Sequence, residues 1–334
     1  MFRAAGNRNS GDPIMTKKPT ILVTRRLPPA VEARAARDYD ARLNADDRVY
    51  GADLPALVEG CEALLICSSE KMTQAMIAAL PKSIRAIATF SVGYEHIDVA
   101  AAKARGIVVT NTPDVLTDAT AEIAMLLLLA AARRAREGLT LVAENQWNKW
   151  YTTMLLGRQL SGKRLGILGL GRIGRALATR ASGFGMEIHY HNRARLSPDL
   201  EQGAVFHPDP EALLRVSQFF SLNCPSTPEM RHFLNAERLG LLPEGAVVVN
   251  TARGDLVDDQ ALIEALRSGR VFAAGLDVFA GEPAIEPAYR KLDNAFLLPH
   301  LGSATAETRD AMGFCALDNL DALFAGKRPP NALT

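Results

Sequence analysis

The sequence carries almost no surplus charge. Its 38 Lys and Arg face 37 Asp and Glu, leaving +1 over 334 residues. A nucleic-acid footprint needs Lys and Arg gathered on one face, and the only cluster is the short Arg133, Arg134, Arg136 set. That set is assigned to a solvated helix end, where cations suit the dipole, and a nucleic-acid partner is excluded. Cysteine is scarce: Cys61, Cys67, Cys224 and Cys315 show no zinc-ligand spacing. They are expected to be buried free thiols of a reducing cytoplasm, and a cytoplasmic protein is expected. No apolar run suffices to span a membrane. The nearest, Ile123 to Ala132, is about ten residues long and predicts a buried helix instead. The first fourteen residues are polar and lack the apolar middle of a signal peptide. Residues 1–15 are therefore expected to be a flexible tail, with Met15 an alternative start. Neither an internal repeat nor a low-complexity segment is present.

What is present is an alternation of short apolar runs with helical patterns. Ile21 to Val23, Ala63 to Ile66, Ala86 to Thr89 and Ile107 to Thr110 predict strands, with helices over Thr73 to Leu80 and Val99 to Arg105 between them. Gly60 and Gly106 sit where left-handed helix stops are expected. One long apolar helix is predicted over Thr117 to Arg136, then a linker-like stretch from Trp147 to Gly162. A second alternating set follows, with strands at Leu165 to Leu168, Glu187 to Tyr190, Phe219 to Leu222, Ala246 to Asn250, Phe272 to Leu276 and Leu297-Leu298. A last helix is expected over Ala304 to Phe324. This alternation implies parallel sheets with crossover helices. The expected class is α/β, with two doubly wound domains: a Rossmann-type cofactor domain (116–299) inserted in a flavodoxin-like substrate domain (16–115 and 300–334).

The strand Leu165-Gly166-Ile167-Leu168 runs directly into Gly169-Leu170-Gly171-Arg172-Ile173-Gly174, and a helical pattern continues from Arg175. That is the strand, turn and helix context of a dinucleotide-binding fingerprint. Gly169 permits the tight turn, Gly171 lets amides approach a pyrophosphate, and Gly174 lets helix and strand pack closely. The helix start then offers free amides and a positive dipole end. The next strand ends in His191-Asn192-Arg193-Ala194-Arg195, where a domain selective for NAD usually carries Asp or Glu for the ribose. A carboxylate would repel a 2′-phosphate, whereas Arg binds one through a bidentate fork. Asn192, Arg193 and Arg195 therefore predict NADPH, with NADH a weaker alternative; Arg193 and Arg195 as plain surface charges remain the competing reading.

Three further segments end predicted strands: Asn250-Thr251-Ala252-Arg253-Gly254-Asp255, Gly275-Leu276-Asp277-Val278-Phe279 with Gly281-Glu282-Pro283, and Leu298-Pro299-His300-Leu301-Gly302-Ser303. Ligands of open α/β sheets bind at these carboxyl ends. Together with the glycine turn, these segments resemble the D-isomer-specific 2-hydroxyacid dehydrogenase family over nearly the whole chain after Thr20. Ser91 to Asp98 and Asn111 to Thr117 are similar to its glyoxylate and hydroxypyruvate reductase branch. The resemblance implies a catalytic set of Arg253, Glu282 and His300. Reducing a 2-keto acid takes a hydride on carbon and a proton on oxygen. His300 is the natural acid, Glu282 holds its other nitrogen, and Arg253 has the fork geometry for the substrate carboxylate and the charge to polarise the ketone.

The resemblance also implies that Val92 and Gly93 hold the substrate carboxylate through backbone amides, beside Arg253 and His300. It gives Thr117, Arg172, Ile173, Cys224, Pro225, Thr227, Thr251 and Ala252 to the cofactor, Asp277 to the nicotinamide carboxamide and Gly302 to a close passage by the ring. Cys224 departs from the small or polar residue more typical there. Trp147 and Trp150 fall in a region the family uses for a homodimer contact, where a Trp reaching the partner's site and plain packing are both open. His189 and His191 alternate on one strand, but no accompanying ligand set makes a metal site. The expected reaction is NADPH-dependent reduction of glyoxylate or hydroxypyruvate to the D-2-hydroxy acid, without membrane or nucleic-acid partners. The alternatives are a phosphoglycerate or phosphonate dehydrogenase of the same superfamily, or a nucleotide-sensing corepressor on the same fold. A formate-type enzyme lacks the Glu, His pairing.

Overall fold

The computed structural model describes residues 18–334, so the expected tail and Met15 lie outside the described residues. Two compact units result. One comprises the described residues through Thr112 together with Gly313–Thr334, and the other is Pro113–Met312.

The first unit holds β1 (Thr20–Val23), α1 (Pro29–Asp38), β2 (Asp40–Arg42), α2 (Leu54–Leu57), β3 (Ala63–Ile66), α3 (Gln74–Ala79), β4 (Ala86–Thr89), α4 (Val99–Ala104) and β5 (Val108–Thr110). Its strands pair in the order β2-β1-β3-β4-β5, all parallel, which is the flavodoxin-like order. β1, β3 and β4 are buried along their full length, as strands covered on both faces must be.

The second unit begins with α5 (Thr117–Ala132) and α6 (Ala135–Ala143). It continues through β6 (Arg164–Leu168), α7 (Arg172–Gly183), β7 (Glu187–His191), α8 (Pro198–Glu201), β8 (Val205–Phe206), α9 (Pro210–Val216) and β9 (Phe219–Leu222). Then come α10 (Ala236–Leu241), β10 (Ala246–Asn250), α11 (Asp259–Arg267), β11 (Val271–Leu276) and β12 (Ala295–Leu297). The closing helix α12 (Ala306–Phe324) runs across the division between the units. The second sheet has the parallel order β12-β11-β10-β9-β6-β7-β8. Strand order reverses between β6 and β9, and that reversal opens the crevice in which Rossmann-type sheets take a dinucleotide. Apolar clusters cover both faces of this sheet, one built on Leu213, Phe220, Leu262 and Tyr289, the other on Leu127, Leu177, Tyr190 and Val247.

The division falls at Gly313, not at residue 300 as the sequence suggests. The reason is local. His300 N–H bonds the Asp277 carbonyl, and Leu301 and Gly302 N–H bond its carboxylate, which holds this segment to β11. The helix expected over Thr117 to Arg136 is two helices. Arg134 takes a left-handed conformation at φ 54° and breaks it. The arginine cluster is not simply a solvated helix end either: Arg136 Nη1 donates to the Leu292 and Ala295 carbonyls at 2.7 and 3.0 Å. The Leu292 carbonyl also accepts Ala295 N–H at 3.3 Å.

Candidate active site

The glycine turn is built as its spacing demands. Gly169 has φ 97°. A side chain there would be strained, and its Cβ would also lie 2.8 Å from Cys224 N and 2.9 Å from the Asn223 carbonyl oxygen. At Gly174 a Cβ would lie 2.3 Å from the Gly169 carbonyl oxygen, so α7 can meet the turn only without one. Gly171 caps α7, no side chain caps the helix, and a Cβ on Gly171 would point into open space. The first-turn amides of α7 thus face a cradle that fits a pyrophosphate. Ile173 is half-buried in that turn, and Arg172 is exposed and ion-paired with Asp114. Thr117 opens α5, half-buried.

At the end of β7 the predicted residues divide in their tasks. Asn192 Oδ1 accepts from Leu170 N–H at 2.7 Å, so this side chain braces the glycine turn. Arg195 grips Glu201 through Nε and Nη2 at 2.8 and 3.0 Å. Glu201 is itself buried and accepts from the Tyr190 hydroxyl at 2.5 Å. The bond to Arg195 holds the Glu201 carboxyl below the usual carboxylate range. Arg195 is therefore committed to shaping this loop, a task the sequence does not show. Arg193 is exposed and has neither ion pair nor hydrogen bond among the described residues. His189 and His207 bond each other through ring nitrogens 2.9 Å apart, and His191 Nδ1 bonds the His207 carbonyl.

The loop after β9 faces the glycine turn from across the switch point. Cys224 sits there with its thiol pushed up to about 12 by burial, and is inert at neutral pH. Pro225 and Thr227 are exposed. Two buried oxygens at these strand ends have no partner among the described residues, Asn223 Oδ1 and Thr251 Oγ1. Orphaned buried polar atoms are costly, and these two fit groups that a bound dinucleotide presents. Sequence reasoning did not single out Asn223; its only signal was its place at the carboxyl end of β9.

The chemistry-bearing residues converge from three strand ends. After β10, Asn250 is buried and bonds Ala252 N–H and the Arg253 carbonyl, closing the turn that presents Arg253. Arg253 is half-buried, with Nη1 on the Ala252 carbonyl at 2.7 Å. After β11, Glu282 accepts from Phe279 N–H at 2.7 Å and from His300 Nδ1 at 2.7 Å. Burial pushes the Glu282 carboxyl up, but the His300 bond and charge, the Phe279 amide and the Arg253 charge outweigh it and hold it below its ordinary 4.5. An ionised Glu282 fixes the Nδ1–H tautomer, leaving Nε2 as the working nitrogen. His300 stands at φ 55° and is half-exposed.

Asp277, assigned to the cofactor carboxamide from sequence, is wholly buried. Its two oxygens accept Leu301 and Gly302 N–H at 2.6 and 2.8 Å. Its observed work is to position the His300 loop. Gly302 is packed beneath it, its carbonyl accepting from Thr120 Oγ1 at 3.0 Å. Val92 and Gly93 lie in the first unit, half-buried in the loop after β4.

Residues 125–302 match the family model described as D-isomer specific 2-hydroxyacid dehydrogenase, NAD binding domain. The chain is 49% identical to a glycerate dehydrogenase of Hyphomicrobium methylovorum, over 93% of this chain and 98% of that one. It is 42% identical to a glyoxylate reductase of Thermococcus litoralis, over 94% and 96% of the two chains. Among solved structures it superposes on an NADPH-dependent glyoxylate/hydroxypyruvate reductase of Sinorhizobium meliloti, in complex with NADP and malonate. That match has a TM-score of 0.86 and 34% identity, covering 95% and 97% of the chains. The glycine cradle, the Glu282–His300 pair and these matches agree: the chain belongs to the D-isomer specific 2-hydroxyacid dehydrogenase family, a family of oxidoreductases.

Proposed function

We propose that this enzyme reduces a small 2-keto acid, glyoxylate or hydroxypyruvate, to the D-2-hydroxy acid with NADPH. The observation that carries the reading is the Glu282–His300 pair with Arg253 behind the same carboxylate. His300 Nε2 gives a proton to the ketone oxygen while Nδ1–H stays on Glu282. The resulting imidazole is reprotonated from solvent, to which His300 is open. Arg253 pairs with the substrate carboxylate and polarises the carbonyl. Nicotinamide, when bound, supplies the hydride. Gly169, Gly171, Arg172, Ile173 and Gly174 hold its pyrophosphate, with Thr117, Cys224, Pro225, Thr227, Thr251, Ala252 and Gly302 lining the rest. The printed names of the relatives, a glycerate dehydrogenase and glyoxylate reductases, support the substrate class. Purified protein that consumes NADPH with neither keto acid would end this reading.

Selectivity for NADPH is assigned to Arg193, the unpaired cation of the β7 loop. Arg193→Ser is expected to raise the NADPH KM about tenfold or more, the worth of a charge-assisted contact, and to leave the NADH KM unchanged. Equal movement of both constants would refute the assignment.

A homodimer is part of the proposal. Leu139, Val142, Trp147, Trp150 and Leu156 are each more than half exposed, in α6 and the stretch after it. A monomer rarely leaves so many large apolar side chains of one stretch of chain wet. Val142→Asp with Trp150→Ser is expected to halve the mass seen by sedimentation; an unchanged mass would place the contact elsewhere. No helix among the described residues is long and apolar enough to cross a membrane, and a cytoplasmic setting is part of the proposal.

A further inference from the structure

The loop after β4 shows an asymmetry in its hydrogen bonds. The amides of Val92, Gly93 and Tyr94 have no acceptor among the described residues. Every carbonyl one bond before them is occupied. The Ser91 carbonyl accepts Thr112 N–H at 3.0 Å. The Val92 carbonyl accepts Asn111 Nδ2 at 2.8 Å, and the Gly93 carbonyl accepts Ser91 Oγ at 2.6 Å. Three successive peptides are thus pinned by their oxygens and open at their nitrogens.

The bond to Gly93 fixes the order of a longer chain. Ser91 spends its hydrogen on the Gly93 carbonyl, so it accepts from Thr89 Oγ1 at 2.8 Å. Thr89 then has no hydrogen left and accepts from His96 Nε2 at 3.0 Å. The chain runs one way, from His96 through Thr89 and Ser91 to the peptide whose N–H belongs to Tyr94. Thr89 is wholly buried and Asn111 nearly so, so water does not compete for these bonds. A peptide whose oxygen accepts a bond becomes a stronger donor at its nitrogen, and the effect accumulates along a chain.

From this we infer that Ser91, Thr89, His96 and Asn111 are positioning residues for substrate recognition. They hold and polarise the Val92, Gly93 and Tyr94 peptides as a preformed donor set for the carboxylate of the keto acid. The inference rests on the proposed 2-keto acid reductase function and adds the residues that make its carboxylate loop effective.

Ser91→Ala tests it, because it removes one oxygen and leaves the loop packing intact. The KM for glyoxylate and the inhibition constant of oxalate, a carboxylate that cannot be reduced, are expected to rise together about fivefold or more. The kcat and the NADPH KM are expected to stay within about twofold of the parent, and Ser91→Thr, which keeps the hydroxyl, to restore both carboxylate constants. Asn111→Leu is expected to reproduce the Ser91→Ala pattern at the next peptide. The inference is overturned if the carboxylate constants do not move. It is equally overturned if they move only together with the NADPH KM and melting temperature and Ser91→Thr fails to restore them. A parent enzyme inactive on every 2-keto acid removes the functional proposal and this inference together; an active parent with an indifferent Ser91→Ala removes the inference alone.

Discussion

His300→Asn is expected to lower kcat for keto-acid reduction by about 10²- to 10⁴-fold, the range that a positioned general acid contributes. Asparagine can still face Glu282, but it carries no transferable proton. The cofactor KM is expected to hold, because the pyrophosphate cradle at Gly169 to Gly174 does not involve the imidazole. Glu282→Gln separates the two halves of the pair. It keeps an acceptor for Nδ1–H and removes the negative charge that faces the imidazole. A smaller loss of kcat than His300→Asn causes is therefore expected. The stability consequence depends on pH. Glu282 is held below its ordinary 4.5 in the fold, so its stabilising effect is complete above that value and is lost as pH falls through the lower, folded one. Parent and Glu282→Gln melting temperatures should differ at neutral pH and converge in acid. Wild-type turnover in His300→Asn would place the proton donor elsewhere.

Much of this site is legible in the chain because its parts obey local rules. Gly169, Gly171 and Gly174 sit between a buried strand and a helix, and each is glycine for a steric reason that the structure repeats. The strands β1, β3, β4, β9 and β10 are short apolar runs that only a covered parallel sheet buries. Less visible are elements that owe their existence to neighbours. β2 is three half-wet residues at a sheet edge, and β8 is a pair; neither has enough side-chain pattern to announce itself. The break at Arg134 follows no glycine or proline, because Arg136 is drawn to carbonyls 150 or more residues away in sequence. The duties of Arg195 and Asp277 were hidden for the same reason. A charged residue at a strand end suggests a ligand, and only the fold shows that Glu201 and the Leu301 and Gly302 amides claim it first.

Gly254 shows how such hidden dependence reaches the chemistry. A Cβ at this position would lie 1.8 Å from the Phe279 carbonyl carbon and 2.2 Å from Ala280 N. Those are near bonded distances between groups that are not bonded, and both obstacles are backbone, so the two loops must part. One loop carries Arg253. The other carries Phe279, whose amide anchors Glu282, which in turn orients His300. Gly254→Ala therefore displaces the carboxylate-binding cation relative to the proton donor. Misplacement of about 1 Å at such a site costs on the order of 10²-fold in rate, so kcat/KM for the keto acid is expected to fall by about that factor. Forcing apart packed backbone also costs about 1–3 kcal/mol, which in a unit of this size lowers Tm by about 2–4 °C per kcal/mol. NADPH binding, read by fluorescence, is expected to change far less than turnover, since the glycine cradle lies on β6 and α7. Gly240→Ala is the matched control. Its Cβ would meet nothing within 4 Å inside α10, and alanine there gains helix propensity of up to about 1 kcal/mol. If Gly254→Ala matches that control in both turnover and melting, the contact between the Arg253 and Glu282 loops does not set the geometry of the site.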